Sequence, residues 1–460
     1  MKKIHLFLII LSLDQTIFAQ TNNKFIVLSD IHFNPFVACD PNTVTCPVVN
    51  ALNKADAKDW PNILEKYDTT VPQFYKETDY SLLKSTLHAL STVAAKKQPQ
   101  FVLISGDFLS HNFKKTYQHY TNDVSSKDYQ AFVTKTIQFL STEFATSLPH
   151  TDVYSALGNN DSDQDDYYTI PHGVFLKTTA QSWAALIKNK DNRANFLQDF
   201  PTAGYYTVIA GPGKKLRIIV LNSTLFSKHA IGAPNQIKKA ALQQLAWLNT
   251  QLNLATAQQQ QVLLVFHIPP GINAFASVRK HPIRGVAMWK NSFNEKFLLT
   301  LAEYSPHITG VLAGHLHSDS FQLFKTNNNS LLPINLTPAI SPEFGNNPGF
   351  KVYSYNPKSL QLTDFTTYFY PLQEWPAASW QPEYDFNQVY QPQCKDCTLL
   401  QGMQQLTATN SLAQAYIKYY SVSQAAQPIA KGYWMPYYWC AITALTKKSY
   451  DPCVSSSRKL

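Results

Sequence analysis

Charge is what this sequence has least of. Asp, Glu, Lys and Arg make up 15% of its 460 residues, against about 25% in an average soluble chain. Coiled coils, acidic proteins and disordered chains are charge-rich, so all three are excluded. Lys and Arg number 39 and Asp and Glu 30, a formal charge of +9, but no Lys/Arg run exceeds two residues. No nucleic-acid patch is expected from so dispersed an excess. After Gln20 no stretch approaches the roughly 18 uninterrupted apolar residues of a membrane span, so no transmembrane segment is expected. Internal repeats are missing too. Apolar residues, at 45%, are ample for a packed core. The length exceeds the usual ~100–200 residues per domain, which points to a large domain with an appendage or to two domains.

The first twenty residues read MKKIHLFLIILSLDQTIFAQ. Lys2 and Lys3 precede the apolar run Ile4–Leu13, and Ala19 offers a cleavage site. That layout predicts a signal peptide and hence a secreted, periplasmic or lumenal protein. The cysteines agree with export. Cys39/Cys46, Cys394/Cys397 and Cys440/Cys453 lie in three local groups, and local pairing is the simplest disulfide framework. Cys394-Lys-Asp-Cys397 has no second CxxC or His pair beside it, so a structural bridge is the expected role.

Short apolar runs recur and stop abruptly: Lys24–Ser29, Phe101–Ser105, Val153–Leu157, Leu216–Leu221, Val262–Phe266 and Ile308–Ala313. Near-continuous apolarity predicts strands buried on both faces. Helical spacing marks Tyr80–Lys97, Asp128–Ser147 and Gln236–Leu254 between them. Strands alternating with helices predict an α/β core. After Ser320 the runs Phe321–Phe324, Leu332–Leu336, Phe350–Tyr355 and Leu360–Tyr370 read as an antiparallel meander. Beyond Pro371 the segments Trp380–Tyr390, Gln404–Tyr420 and Pro436–Lys447 read as helical. The expected organisation is a leader (1–20), a catalytic domain (21–371) and a helical, disulfide-tied subdomain (372–460).

The apolar runs end in ligand-type residues: Asp30-Ile-His32, Gly106-Asp107, Gly158-Asn159-Asn160-Asp161, His267-Ile-Pro-Pro-Gly271 and Gly314-His315-Leu-His317. α/β sheets place their sites at the carboxyl ends of strands, so these distant residues are expected to converge. In an extended segment the partners of D-x-H and H-x-H face the same way. Glycine before Asp107, Asn159 and His315 permits close approach. Imidazole, carboxylate and amide donors suit zinc, manganese or iron better than magnesium. The set is too large for one tetrahedral ion and fits two sharing Asp107, the arrangement used for in-line displacement at phosphorus, with metals about 3.5–4 Å apart.

The pattern D-x-H, G-D, G-N, H, G-H-x-H resembles the calcineurin-like metallophosphoesterase superfamily. Gly106-Asp107 followed by His111, His267-Ile-Pro-Pro-Gly271, Gly314-His315-Leu-His317, Gly204-Tyr205-Tyr206 before Leu216–Asn222, and Asn347-Pro-Gly-Phe350-Lys-Val-Tyr353 resemble the acid sphingomyelinase-like phosphodiesterases. The likeness runs from about Lys24 to about Tyr390, and the paired C-terminal cysteines are also similar. It implies a four-layer αββα sandwich and a two-metal phosphoric diester hydrolase, most readily with two zinc ions, acting through a metal-bridging hydroxide. Asp30, His32, Asp107 and His317 would hold the first metal, and Asp107, Asn159, His267 and His315 the second. His111 would face the leaving oxygen. The superfamily usually has histidine where Asn160 stands, and Asn160 has no proton of useful acidity to give. That departure favours leaving groups that need little protonation.

Lipid-hydrolysing members carry a saposin-like domain ahead of the catalytic one. Only Thr21–Ser29 separates the leader from Asp30, so the resemblance is to members that act on nucleotides and related soluble phosphodiesters. Phosphocholine lipids, with transient contact at a lipid surface, are the alternative substrate class. A non-catalytic metal-binding interaction protein is the alternative of another kind. His281 lies with Arg279 and Arg284 in a loop between the last two metal motifs; a surface or capping role is expected for it, with phosphate contact as the alternative. Asn222, Asn328 and Asn335 stand in glycosylation sequons.

Overall fold

The computed structural model describes residues 23–67, 70–122, 125–280, 282–326, 329–394, 397–408, 412–424 and 434–457. The leader, His281 and Asn328 lie outside these residues.

The strands, in chain order, are β1 (Lys24–Leu28), β2 (Phe101–Ile104), β3 (Asp152–Ser155), β4 (Tyr206–Ala210), β5 (Leu216–Val220), β6 (Gln261–Val265), β7 (Ile308–Ala313), β8 (Ser320–Lys325), β9 (Leu331–Leu336), β10 (Gly349–Tyr355), β11 (Leu362–Phe369) and β12 (Gln381–Asp385). They form two six-stranded sheets, ordered β12-β11-β10-β1-β2-β3 and β4-β5-β6-β7-β9-β8. One half of the first sheet, ending at the edge strand β3, and the middle of the second are parallel (β1-β2-β3; β5-β6-β7-β9).

Burial on both faces follows from the period of two along a strand. On β5 and β6, Leu216, Ile218, Val220, Leu263 and Val265 join the layer shared with the first sheet. The intervening Ile219, Val262 and Leu264 pack instead with helices Pro234–Ala257 and Asn291–Tyr304. Helices Tyr80–Lys97 and Ser126–Ser147 cover the first sheet. The result is a helix–sheet–sheet–helix sandwich, as expected. All three local disulfides are formed, Cys39–Cys46, Cys394–Cys397 and Cys440–Cys453.

Several expectations need correction. The late strands are not one meander. β8 and β9 form a hairpin that joins the second sheet through β7, whereas β10 and β11 join the first through β1. Periodicity marks a strand but not its partner, and the Asn346–Gly349 turn carries the chain between sheets. Trp380–Tyr390 is not one helix: β12 pairs with β11, and only Phe386–Tyr390 is helical. Gln404–Tyr420 falls into Leu399–Ala408 and Ala413–Tyr420. Pro436–Lys447 splits between Met435–Thr443 and Lys447–Ser457. Asn222 and Asn335 are buried and bond to backbone carbonyls, so neither presents an amide for glycosylation.

Candidate active site

The ligand-type residues do converge at the carboxyl ends of the strands, by a different local geometry from the expected one. Asp30 (φ 52°), His32 (φ 45°), His315 (φ 71°) and His317 (φ 52°) are left-handed, not extended. Both members of D-x-H and H-x-H therefore turn into one volume through tight loops. Asp107 (φ 56°) does the same. Asp, Asn and His tolerate this conformation better than bulkier residues do, and its recurrence at one site marks function. The glycines serve close approach, as expected: a Cβ on Gly158 would sit 2.0 Å from Asp107 Oδ1, and one on Gly314 would sit 1.9 Å from Ser29 Oγ.

Three groups of donors result, Asp30/His32/His317, Asp107/His267/His315 and, beside the first, His32/Glu77/His111, each with its ligand atoms within 4.8 Å of one another. Asp107 stands between the first two: its Oδ2 is 3.6 Å from His32 Nε2 and 3.0 Å from His267 Nε2. His32 Nδ1 donates to the Leu109 carbonyl at 3.0 Å and His267 Nδ1 to that of Ser105 at 2.9 Å. Both rings thus keep Nε2 turned inward, which is how outer partners orient imidazole ligands. Asp30 accepts the His315 N–H at 3.0 Å.

The site fits cations. Asn159 Oδ1 and His317 Nδ1 are buried and have no hydrogen-bond partner among the described residues, a costly state for a polar atom unless something else meets it; His267 Nε2 faces the Asp107 and Asp30 carboxylates at 3.0 and 3.9 Å. His32 Nε2 and His317 Nε2 face each other at 3.1 Å. Burial works against the Asp107 charge, yet His267 beside it holds the carboxyl well below the usual range. Burial also opposes a proton on His267, but Asp107 and Asp30 draw one there and push its pKa up to about 9. Burial and the neighbouring His267 push His315 down to about 3, which keeps it a neutral donor.

Three supporting carboxylates were missed from sequence. Asp161 is buried and takes the N–H groups of Asp107, Phe108, Leu109 and Gly158 at 2.8–3.1 Å, stapling the two ligand loops together. It follows Asn160 directly, so its position in the motif was a usable signal. Glu77 and Glu343 had none. His111 Nδ1 lies 3.1 Å from Glu77 and 2.6 Å from Glu343, and its ring stacks on His32 at 4.2 Å. Burial disfavours its charge, but the two carboxylates push the His111 pKa up to about 11. Asn160 points inward: its backbone N–H donates to Asp107 Oδ1 at 2.8 Å, its Nδ2 lies 3.3 Å from Asp107 Oδ2, and its Oδ1 accepts from Asn159.

A two-sheet sandwich whose strand ends gather these donors defines a metal-dependent phosphoesterase. Residues 23–319 match the family model of the calcineurin-like phosphoesterases, and residues 329–460 match the acid sphingomyelin phosphodiesterase C-terminal region. The chain belongs to the calcineurin-like phosphoesterases and, within them, carries the C-terminal region of the acid sphingomyelinase-like enzymes. It is 27% identical to acid sphingomyelinase-like phosphodiesterase 3b of Mus musculus, over 87% of this chain and 83% of that protein. Identity to the Homo sapiens counterpart is 26%, over 94% and 90%. Identity to the cyclic GMP-AMP phosphodiesterase SMPDL3A of Bos taurus is 27%, over 70% of each. The chain is a hydrolase of the phosphodiesterase type, with a fold that holds two divalent metal ions. No described helix is long and apolar enough to cross a membrane.

Proposed function

We propose that this chain is an exported phosphodiesterase that hydrolyses phosphodiester or phosphoanhydride bonds of nucleotides or related soluble substrates. The observation that carries the reading is the buried convergence of carboxylate, imidazole and amide donors around Asp107, with Asn159 Oδ1 and His317 Nδ1 left without a hydrogen-bond partner among the described residues. Asp30, His32, Asp107 and His317 would hold one divalent ion, and Asp107, Asn159, His267 and His315 the other, zinc being the best match to the donor set. When bound, the ions supply Lewis-acid stabilisation of the phosphoryl oxygens and a nucleophile from water at neutral pH.

The chain's own residues do the rest. Glu77 and Glu343 hold His111 by Nδ1, leaving Nε2 as its donor toward the leaving oxygen. A group this firmly cationic stabilises negative charge better than it gives up a proton. Asn160 offers a hydrogen bond but no acid. Both features suit leaving groups that depart as stabilised anions, such as nucleotide phosphates. The relatives named as cyclic GMP-AMP phosphodiesterases point the same way, and the three disulfides and the leader-like N-terminus support export.

The deciding experiment measures metal content and then turnover on CDP-choline, ATP, cyclic nucleotides and sphingomyelin. The expected result is two metals per chain and turnover of the nucleotides. Two metals without turnover of any of the four, unchanged by added zinc or manganese, would remove the proposal; sphingomyelin alone would move it to the lipid class. Replacing Asn160 by histidine adds the missing acid. Asn160→His is expected to raise kcat on alkoxide leaving groups by about tenfold or more, with little gain on p-nitrophenolate. Equal rates on alkoxides would count against the leaving-group argument.

A further inference from the structure

Among the described residues, Phe275 and Phe344 are the exposed phenylalanines, at 39% and 42%. Both stand on the rim of the metal site. The Phe344 ring meets His317 edge-on at 4.6 Å and His111 at 5.9 Å. Phe275 is 6.0 Å from Phe344. Four residues on, Arg279 lays its guanidinium over the Phe275 ring at 3.4 Å. No carboxylate among the described residues pairs with it. Phe344, Phe275 and Arg279 therefore form a chain of contacts that starts at His317 and His111 and ends in a cation.

An exposed aromatic pair alone would suit either of two substituents. A planar base stacks on it, and a quaternary ammonium sits against it by cation–π attraction. Arg279 decides between them. It already presents a cation to one face of Phe275, so a choline headgroup would meet like charge there, whereas a substrate with a further phosphate would meet the opposite charge. The cleft behind Phe275, lined by Leu316, Tyr420 and Tyr438, has a volume of about 50 Å³.

We infer that Phe275, Phe344 and Arg279 form a specificity subsite that accepts a planar aromatic ring bearing additional negative charge and turns away phosphocholine esters. The inference rests on the phosphodiesterase reading above and adds the residues that choose the substrate.

The test compares kcat/KM of the metal-loaded full chain on ATP and on p-nitrophenylphosphocholine, together with calorimetric binding of AMP and of phosphocholine. The unaltered chain is expected to prefer the nucleotide by about tenfold or more in both measurements. Arg279→Glu is expected to lower that preference about tenfold, in part by improving the phosphocholine ester, and Arg279→Lys to keep most of it. Phe344→Ala is expected to weaken AMP about tenfold, with Phe344→Tyr close to the original. Ratios within twofold of the unaltered chain in both Arg279→Glu and Phe344→Ala, or AMP bound no better than phosphocholine from the start, would overturn the inference. A chain that turns over neither substrate would sink the phosphodiesterase reading instead, and the AMP and phosphocholine affinities of the variants would still decide the subsite.

Discussion

Asp107→Asn is expected to lower kcat/KM on a chromogenic phosphodiester on the order of a thousandfold and to reduce bound metal from two ions per chain to one or none. Asp107 stands between the first two donor groups, 3.6 Å from His32 Nε2 and 3.0 Å from His267 Nε2. With Asp30 it supplies the site's negative charge. Asparagine keeps the shape and an acceptor for the Asn160 N–H, but halves that charge and turns an amide toward a position that needs a carboxylate. The substitution also isolates the ligand effect. Asp107 has a left-handed backbone (φ 56°), which asparagine tolerates as well as aspartate does and which alanine would strain. The fold should therefore persist, with near-native circular dichroism. Added zinc should raise the Tm of the unaltered chain, because binding to the native state alone stabilises it, and should not raise that of the variant. Two retained metals with activity within tenfold of the original would show that Asp107 does not bridge.

Much of this site is readable in the primary structure because each donor ends a buried apolar run and three follow glycine. The chemistry of Asp30, His32, Asp107, His267, His315 and His317 is written in their order. How they converge is not: D-x-H reads the same whether extended or left-handed, and only the packed loops decide. Glu77 and Glu343 left no trace, since they reach His111 from 34 and 232 positions away in the chain and sit in no motif. The sheets show the same limit. β10 has the pattern of a strand, but its choice of β1 over β9 is a long-range pairing that periodicity does not encode. Lys351, within that strand, is charged and buried, which its place in the motif does not reveal.

Lys351→Met is expected to destabilise the protein by about 3–5 kcal/mol, the cost of leaving a buried charge without its partner. Lys351 is 1% exposed. Its Nζ lies 2.6 Å from Asp319 Oδ1 and donates to the Leu336 carbonyl at 2.9 Å. Asp319 also accepts from Thr367 at 2.6 Å and donates its N–H to the Tyr420 carbonyl at 2.9 Å. This one network joins β10 and β11 of the first sheet, the end of β9 in the second, and the last turn of helix Ala413–Tyr420. Burial lowers the Lys351 pKa, and Asp319 holds it up in part. Methionine has nearly the volume of the lysine stem, so the loss should be electrostatic and not a cavity. A second substitution separates the two: Lys351→Met with Asp319→Asn removes both charges of the pair, relieves the repulsion between Asp319 and the buried Glu383, keeps an acceptor for Thr367, and should recover about 1 kcal/mol or more in urea unfolding. The single variant should also bind metal more weakly, because Asp319 fixes the loop two residues beyond His317. A single variant within about 1 kcal/mol of the original, or a double variant less stable than the single, would show that the pair does not bind the two sheets together.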